Sequence, residues 1–175
     1  MIADVLPLLT TLFDIIRLRK GPETIPHSSV LFVMILAAWL VAGEIIVLLI
    51  VELDQSDFAI SIALGVVALL LYAVIVVSSQ RSSRLLQTLT AILGCGVLLQ
   101  CLFIVSYSFL TPVLGRGIAG VVSYLLLLWS VPVEGHIIAR AIDRQWYVGF
   151  LVALAVFLIQ IQLSSFFGPA DIAAS

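Results

Sequence analysis

Between Val30 and Phe167 the chain runs through five apolar stretches of roughly twenty residues each, parted only by short polar breaks. That spacing leaves few folds open. A helix of this length matches the hydrocarbon thickness of a bilayer. Lipid offers no partner to a backbone group outside a helix or a closed barrel. The stretches place spans at 30–51, 58–77, 86–110, 118–139 and 146–167. Of the 175 residues, 63% are hydrophobic and 10% charged, against about 25% charged in a soluble domain. The mean hydropathy is +1.29. No room remains for a separate soluble domain.

The basic residues orient the spans. Arg17, Arg19, Lys20, Arg81, Arg84, Arg140 and Arg144 fall on one side of a five-span reading, and Arg116 alone on the other. By the positive-inside rule this is an N-in, C-out topology. The expected fold is therefore all-α: a polytopic membrane helix bundle of five transmembrane helices plus an N-terminal amphipathic interfacial helix. Residues 1–27 form the cytoplasmic helix and a Pro-containing connector, 28–167 the transmembrane domain, and 168–175 a short external tail. The net charge is −2 and the basic residues are dispersed, so no nucleic-acid footprint exists. The opening Met1-Ile2-Ala3-Asp4 lacks the basic start of a signal peptide, and the first span serves as the targeting signal. With such short loops, a bacterial cytoplasmic (inner) membrane is the expected residence.

Within residues 2–18, Ile2, Val5, Leu6, Leu8, Leu9, Leu12, Phe13, Ile15 and Ile16 gather on one side at about 100° per residue. Asp4, Thr10, Thr11, Asp14 and Arg17 take the other. This segment is too interrupted to span. It is expected to lie in the cytoplasmic interface, with Arg17, Arg19 and Lys20 at anionic headgroups; packing on the protein's own loops is the alternative. Deleting residues 1–18 should then spare insertion but remove a lipid or partner contact. Gly21-Pro22 is expected to end this helix, and Ser28 or Ser29 to cap the first span. His27 reads as a solvated loop residue.

Small residues suggest where helices approach closely. Gly94, Cys101 and Ser108 recur at heptad spacing on the third span, and Gly117 and Gly120 open the fourth. Cys95 and Cys101, six apart inside one span, read as reduced packing residues. Thr111-Pro112 is expected to end the third span, with Gly115-Arg116-Gly117 as the turn.

Ionisable and amide side chains inside spans carry the sharpest functional signal, because lipid makes them costly. Glu44, Gln100 and Gln160 fall at similar depth on spans one, three and five. They read either as a hydrogen-bonded structural cluster, worth roughly 0.6–2 kcal/mol per bond, or as a proton or ligand site. On the fourth span, Pro132, Gly135 and the polar pair Glu134 and His136 suggest a kinked helix. Glu134 there is either a snorkelling acid that pairs with Arg140, Arg81 or Arg84, or part of a cytoplasmic-facing polar pocket. Glu44 and Glu134 differ in depth by roughly 13 Å, which excludes a catalytic pair but allows two stations on one path. No HExxH, GxSxG, CxxC, P-loop or GxGxxG motif occurs, so no enzyme, cofactor or metal is expected.

An amphipathic cytoplasmic N-terminus followed by five closely spaced spans resembles the Yip1 family of small membrane proteins. Eukaryotic members carry an Asp-Leu-Tyr-Gly-Pro-like motif before the first span. Here Arg19-Lys20-Gly21-Pro22-Glu23 keeps only the Gly-Pro, which is more similar to divergent bacterial proteins grouped with that family. The resemblance implies a non-enzymatic factor acting through protein or lipid contacts. The expected function is a non-catalytic membrane factor or subunit, with membrane lipids and other membrane proteins, or its own copies, as partners. The alternative is a small oligomeric transporter or ion-conducting protein that uses Glu44 and Glu134.

Overall fold

The computed structural model describes residues 2–50 and 55–167, with side chains from residue 6 in the first segment and residue 58 in the second. The expected external tail at 168–175 and the loop residues 52–54 lie outside the described residues. Among the described residues every regular element is helical: α1 (Ile2–Ile16), α2 (Ser29–Leu49), α3 (Gln55–Ser78), α4 (Leu85–Ala141) and α5 (Trp146–Phe167). Short 3-10 turns at Pro22–Thr24 and Ser82–Arg84 precede α2 and α4. Four of the helices are long and apolar enough to cross a membrane, and α1 is a shorter apolar helix.

The 57 residues of α4 would reach about 85 Å if straight, far more than a bilayer. The helix breaks at Gly115, where φ is 82° and ψ is 162°. The two arms, 85–114 and 116–141, then fold back on each other. Arg84 Nη1 at one end donates to the carbonyl of Arg140 near the other at 3.2 Å. The turn expected at 115–117 is thus a one-residue break. Thr111-Pro112 does not end the first arm, because the helix continues through both. Pro132 likewise causes no break: within α4 only Gly115 has non-helical dihedrals.

The basic residues gather at one end of the bundle. Arg81 pairs with Asp143 at 3.2 Å, Arg84 reaches Arg140, and Lys20 pairs with Asp14 at 2.8 Å. Asp14 is held below the ordinary carboxylate range, chiefly by its hydrogen bond to Lys20. The pair therefore contributes at neutral pH and fades as pH falls through that lowered value. Gln87 Nε2 donates to the carbonyl of Ile25 at 2.7 Å and ties the connector to the start of α4. Ser28 caps α2, its hydroxyl accepting from the Leu31 amide at 3.3 Å. Arg116 lies at the Gly115 turn, at the opposite end of both arms.

α1 packs against the protein itself. It ends at Ile16, before Gly21-Pro22, through a left-handed Leu18 with φ 61°. Leu12 and Ile15 are buried, and the Leu12 carbonyl accepts from Cys95 Sγ at 3.9 Å. Cys95 lies about 15 Å along α4 from the basic end. α1 therefore docks on the bundle at depth, while Leu6 and Phe13 remain exposed on its other side. The surroundings explain the docking. Gly94 leaves the space that Leu12 fills; a Cβ there would sit 2.8 Å from Leu12 Cδ2. Removing residues 1–18 should then destabilise the bundle rather than spare it. Ile15→Ala alone should cost about 2 kcal/mol, read as a lower midpoint in thermal unfolding in detergent.

The core sits at the basic end, where Ile15, Ile25, Tyr72, Val76, Val133, Ile137, Ile138 and Ala141 are at most 1% exposed. Toward the other end the helices expose large apolar side chains such as Phe109 and Val113, as lipid-facing surfaces do. The close helix contacts fall at Gly94, Gly65 and the Gly135–Gly149 crossing. A Cβ added at Gly117 or Gly120 would meet nothing within 4 Å, and Cys101 and Ser108 are exposed. Four of the five small residues expected at contacts are therefore not there; Gly94 is.

Candidate functional site

Glu134 projects from the second arm of α4 into the bundle. Its carboxylate Oε2 accepts a hydrogen bond from the Tyr72 hydroxyl of α3 at 2.6 Å, a length typical of an O–H donor on a carboxylate. Tyr72 is 1% exposed. Its ring needs an apolar environment and its hydroxyl needs a partner, and this pairing supplies both. Glu134 turns to Tyr72 and not to the basic end, where Arg81 pairs with Asp143 and Arg84 with the Arg140 carbonyl. In lipid such a bond contributes roughly 0.6–2 kcal/mol.

The helices around the pair are brought close by missing side chains. Gly135 and Gly149 let α4 and α5 cross nearly backbone to backbone: a Cβ on Gly149 would collide with the Gly135 carbonyl and sit 2.6 Å from Ala139 Cβ. About two turns from Tyr72 along α3, Trp39 of α2 lies over Gly65, where a Cβ would be 2.6 Å from the ring. His136, two residues from Glu134, points elsewhere. Its Nε2 meets the Lys20 carbonyl at 3.0 Å and pins the connector to α4. Pro132, Glu134 and His136 thus do not form one pocket.

Three cavities surround this centre. A cavity of about 110 Å³ is lined by Tyr72, Glu134, Trp39 and Gln160, among others. A second, of about 340 Å³, shares Trp39, Gly65 and Gln160 with it and adds Ser61 and Ser164. A third, of about 480 Å³, lies on the other side of Trp39, between α2 and both arms of α4, and is almost wholly apolar. Gln100 lines this third cavity, and its Oε1 is buried with no hydrogen-bond partner.

Of the expected cluster of Glu44, Gln100 and Gln160, the two amides face different cavities. Gln160 donates to the Leu64 carbonyl at 3.3 Å and faces the first two cavities. Gln100 lies near Gly43 and faces the third, with Trp39 bordering all three. Glu44 is half-buried beside Gly43, outside all three linings. Of the residues expected at headgroups, Arg17, Arg19 and Lys20 are all exposed.

Sequence reasoning missed Tyr72, Trp39 and Gly149. Tyr72 carried a usable signal, since a tyrosine within an aliphatic span needs a partner for its hydroxyl.

Helices of this length and hydropathy define an integral membrane protein of the helical-bundle class. A yeast protein, NADH-ubiquinone oxidoreductase chain 5 of Candida parapsilosis, is 30% identical over 129 residues, 70% of this chain. The chain spans 23% of that relative's length. No family model matches the chain, and no solved structure matches it.

Proposed function

We propose that the chain is a non-catalytic subunit or factor of a membrane complex, and that a helix of another membrane protein seats between α2 and the two arms of α4. The observation that carries this reading is the apolar groove of about 480 Å³, with Gly96, Gly120 and Ser123 on its walls. Small residues along the walls let a backbone approach. The yeast relative fits the reading, since its name makes it one chain of a multi-chain oxidoreductase.

In this reading the arms of α4 count as separate spans. The chain then crosses five times, N-terminus inside, with the basic end cytoplasmic by the positive-inside rule. The topology keeps the likeness to Yip1-type proteins as a proposal. The short loops favour a bacterial cytoplasmic membrane.

Filling the groove tests the reading. Ser123→Trp should lower recovery of the complex about tenfold, a loss near 1.4 kcal/mol, while the lone chain stays folded by circular dichroism. Unchanged recovery would move the docking site elsewhere. The second reading, a small oligomeric ion-conducting protein, is favoured by Glu134, a half-buried acid within a long apolar helix. In that case Glu134→Gln abolishes flux in proteoliposomes, while Glu44→Gln tests the other acid.

A further inference from the structure

Two cavities that share Trp39, Gly65 and Gln160 meet beside Glu134, the outer one half polar and the inner one mainly apolar with Tyr72, Glu134 and Gln160 as its polar groups. The larger opens at Ser61 and Ser164, which are exposed and lie toward the end of the bundle away from the basic cluster. It narrows at Trp39, Gly65 and Gln160, which also wall the smaller cavity, and that one ends on Tyr72 and Glu134. At about 110 Å³ the inner chamber exceeds the space a single water needs several-fold, and its polar groups offer the partners waters require. The other side of Glu134 is closed. Val76, Ile137, Ile138 and Ala141, which pack between it and the basic end, are all 0% exposed.

We propose that Glu134 is a proton-exchange site reached by water from the Arg116 end of the bundle alone. Hydronium in the inner chamber gives one proton to the Glu134 carboxylate, leaving a neutral carboxyl and a water. Tyr72 keeps its own proton and holds the acid in place. Of the elements packed around Glu134, α3 presents Tyr72 and the first arm of α4 presents the Cys95 thiol. α2 and α5 present only Trp39 and Gln160, which carry no charge. On its own helix His136 is turned to the connector, and Arg140 is exposed at the basic end, roughly 9 Å further along the helix. Proton exchange at Glu134 is independent of whether a partner occupies the groove on the far side of Trp39.

The test is infrared difference spectroscopy of the whole chain in lipid nanodiscs. A carboxyl C=O band that titrates and is absent in Glu134→Gln should shift promptly on transfer to D₂O. Plugging the mouth with Ser61→Trp and Ser164→Trp, both at exposed positions, should slow that shift at least about tenfold, because exchange then needs local opening of the bundle. A missing Glu134 band, or a band whose exchange ignores the plug, would overturn the proposal. Sidedness is read separately in sealed vesicles with a charged thiol reagent, in a Cys101→Ser parent. Gln160→Cys should react from the Arg116 side only. Reaction from the basic side would contradict one-sided access.

Discussion

Gly149→Leu should part α5 from α4 and lower stability by about 3 kcal/mol or more. The expectation rests on geometry. Gly149 faces the Gly135 carbonyl and Ala139 so closely that even a methyl group collides with both. The clashing atoms belong largely to the backbone and cannot rotate aside. In lipid there is little hydrophobic drive to hold two helices together, so close packing carries the association. A leucine forces the helices apart and forfeits the contacts along the whole seam, including the buried Val156 and Ala153. Gly117→Leu is the control. Nothing lies within 4 Å of that position, so the change should stay within about 0.5 kcal/mol. Denaturant titration in mixed micelles, followed by tryptophan fluorescence, separates the two. Equal midpoints for both variants would mean that the seam is not where the structure has it.

Gly115→Val should cost roughly 2–3 kcal/mol, the second largest effect expected. The backbone at Gly115 has φ 82° and ψ 162°, a region that only glycine enters readily. A β-branched side chain is among the least tolerated there. The strain falls on the single residue that turns a 57-residue element back on itself. Weakening it threatens the contact of Arg84 with the Arg140 carbonyl and, between the arms, the groove lined by Gly96 and Gly120. Gly115→Ala should show a smaller loss of the same sign. Thermal unfolding in detergent measures both, and a valine variant as stable as the parent would rule out the turn.

The helices and the basic end were legible in the sequence because they depend on length and charge. Twenty apolar residues fix a span whatever surrounds them, and arginines at the ends of Val76–Arg84 and Ala139–Arg144 mark one side without reference to packing. The faces of the helices were not legible. A helix apolar all round carries no periodic signal of which side is inward. The equal depth of Gln100 and Gln160 could therefore be counted, but not the Trp39 ring that borders their separate cavities. The heptad of Gly94, Cys101 and Ser108 was misleading for the same reason. Gly94 takes Leu12, while Cys101 and Ser108 face outward. For α1 the amphipathic pattern was present, but a pattern shows only that one face is buried. It does not distinguish lipid from protein, and the space above Gly94 made the difference. Glu134 was visible as an intramembrane acid; its partner required knowing that Tyr72 and Glu134, on different helices, stand at the same height.

Intact-complex mass determination after extraction into native nanodiscs tests the subunit reading most directly. The reading predicts a mass above that of the 18.9 kDa chain by at least one further polypeptide, lost in Ser123→Trp. A single 18.9 kDa chain carrying only lipid would contradict it.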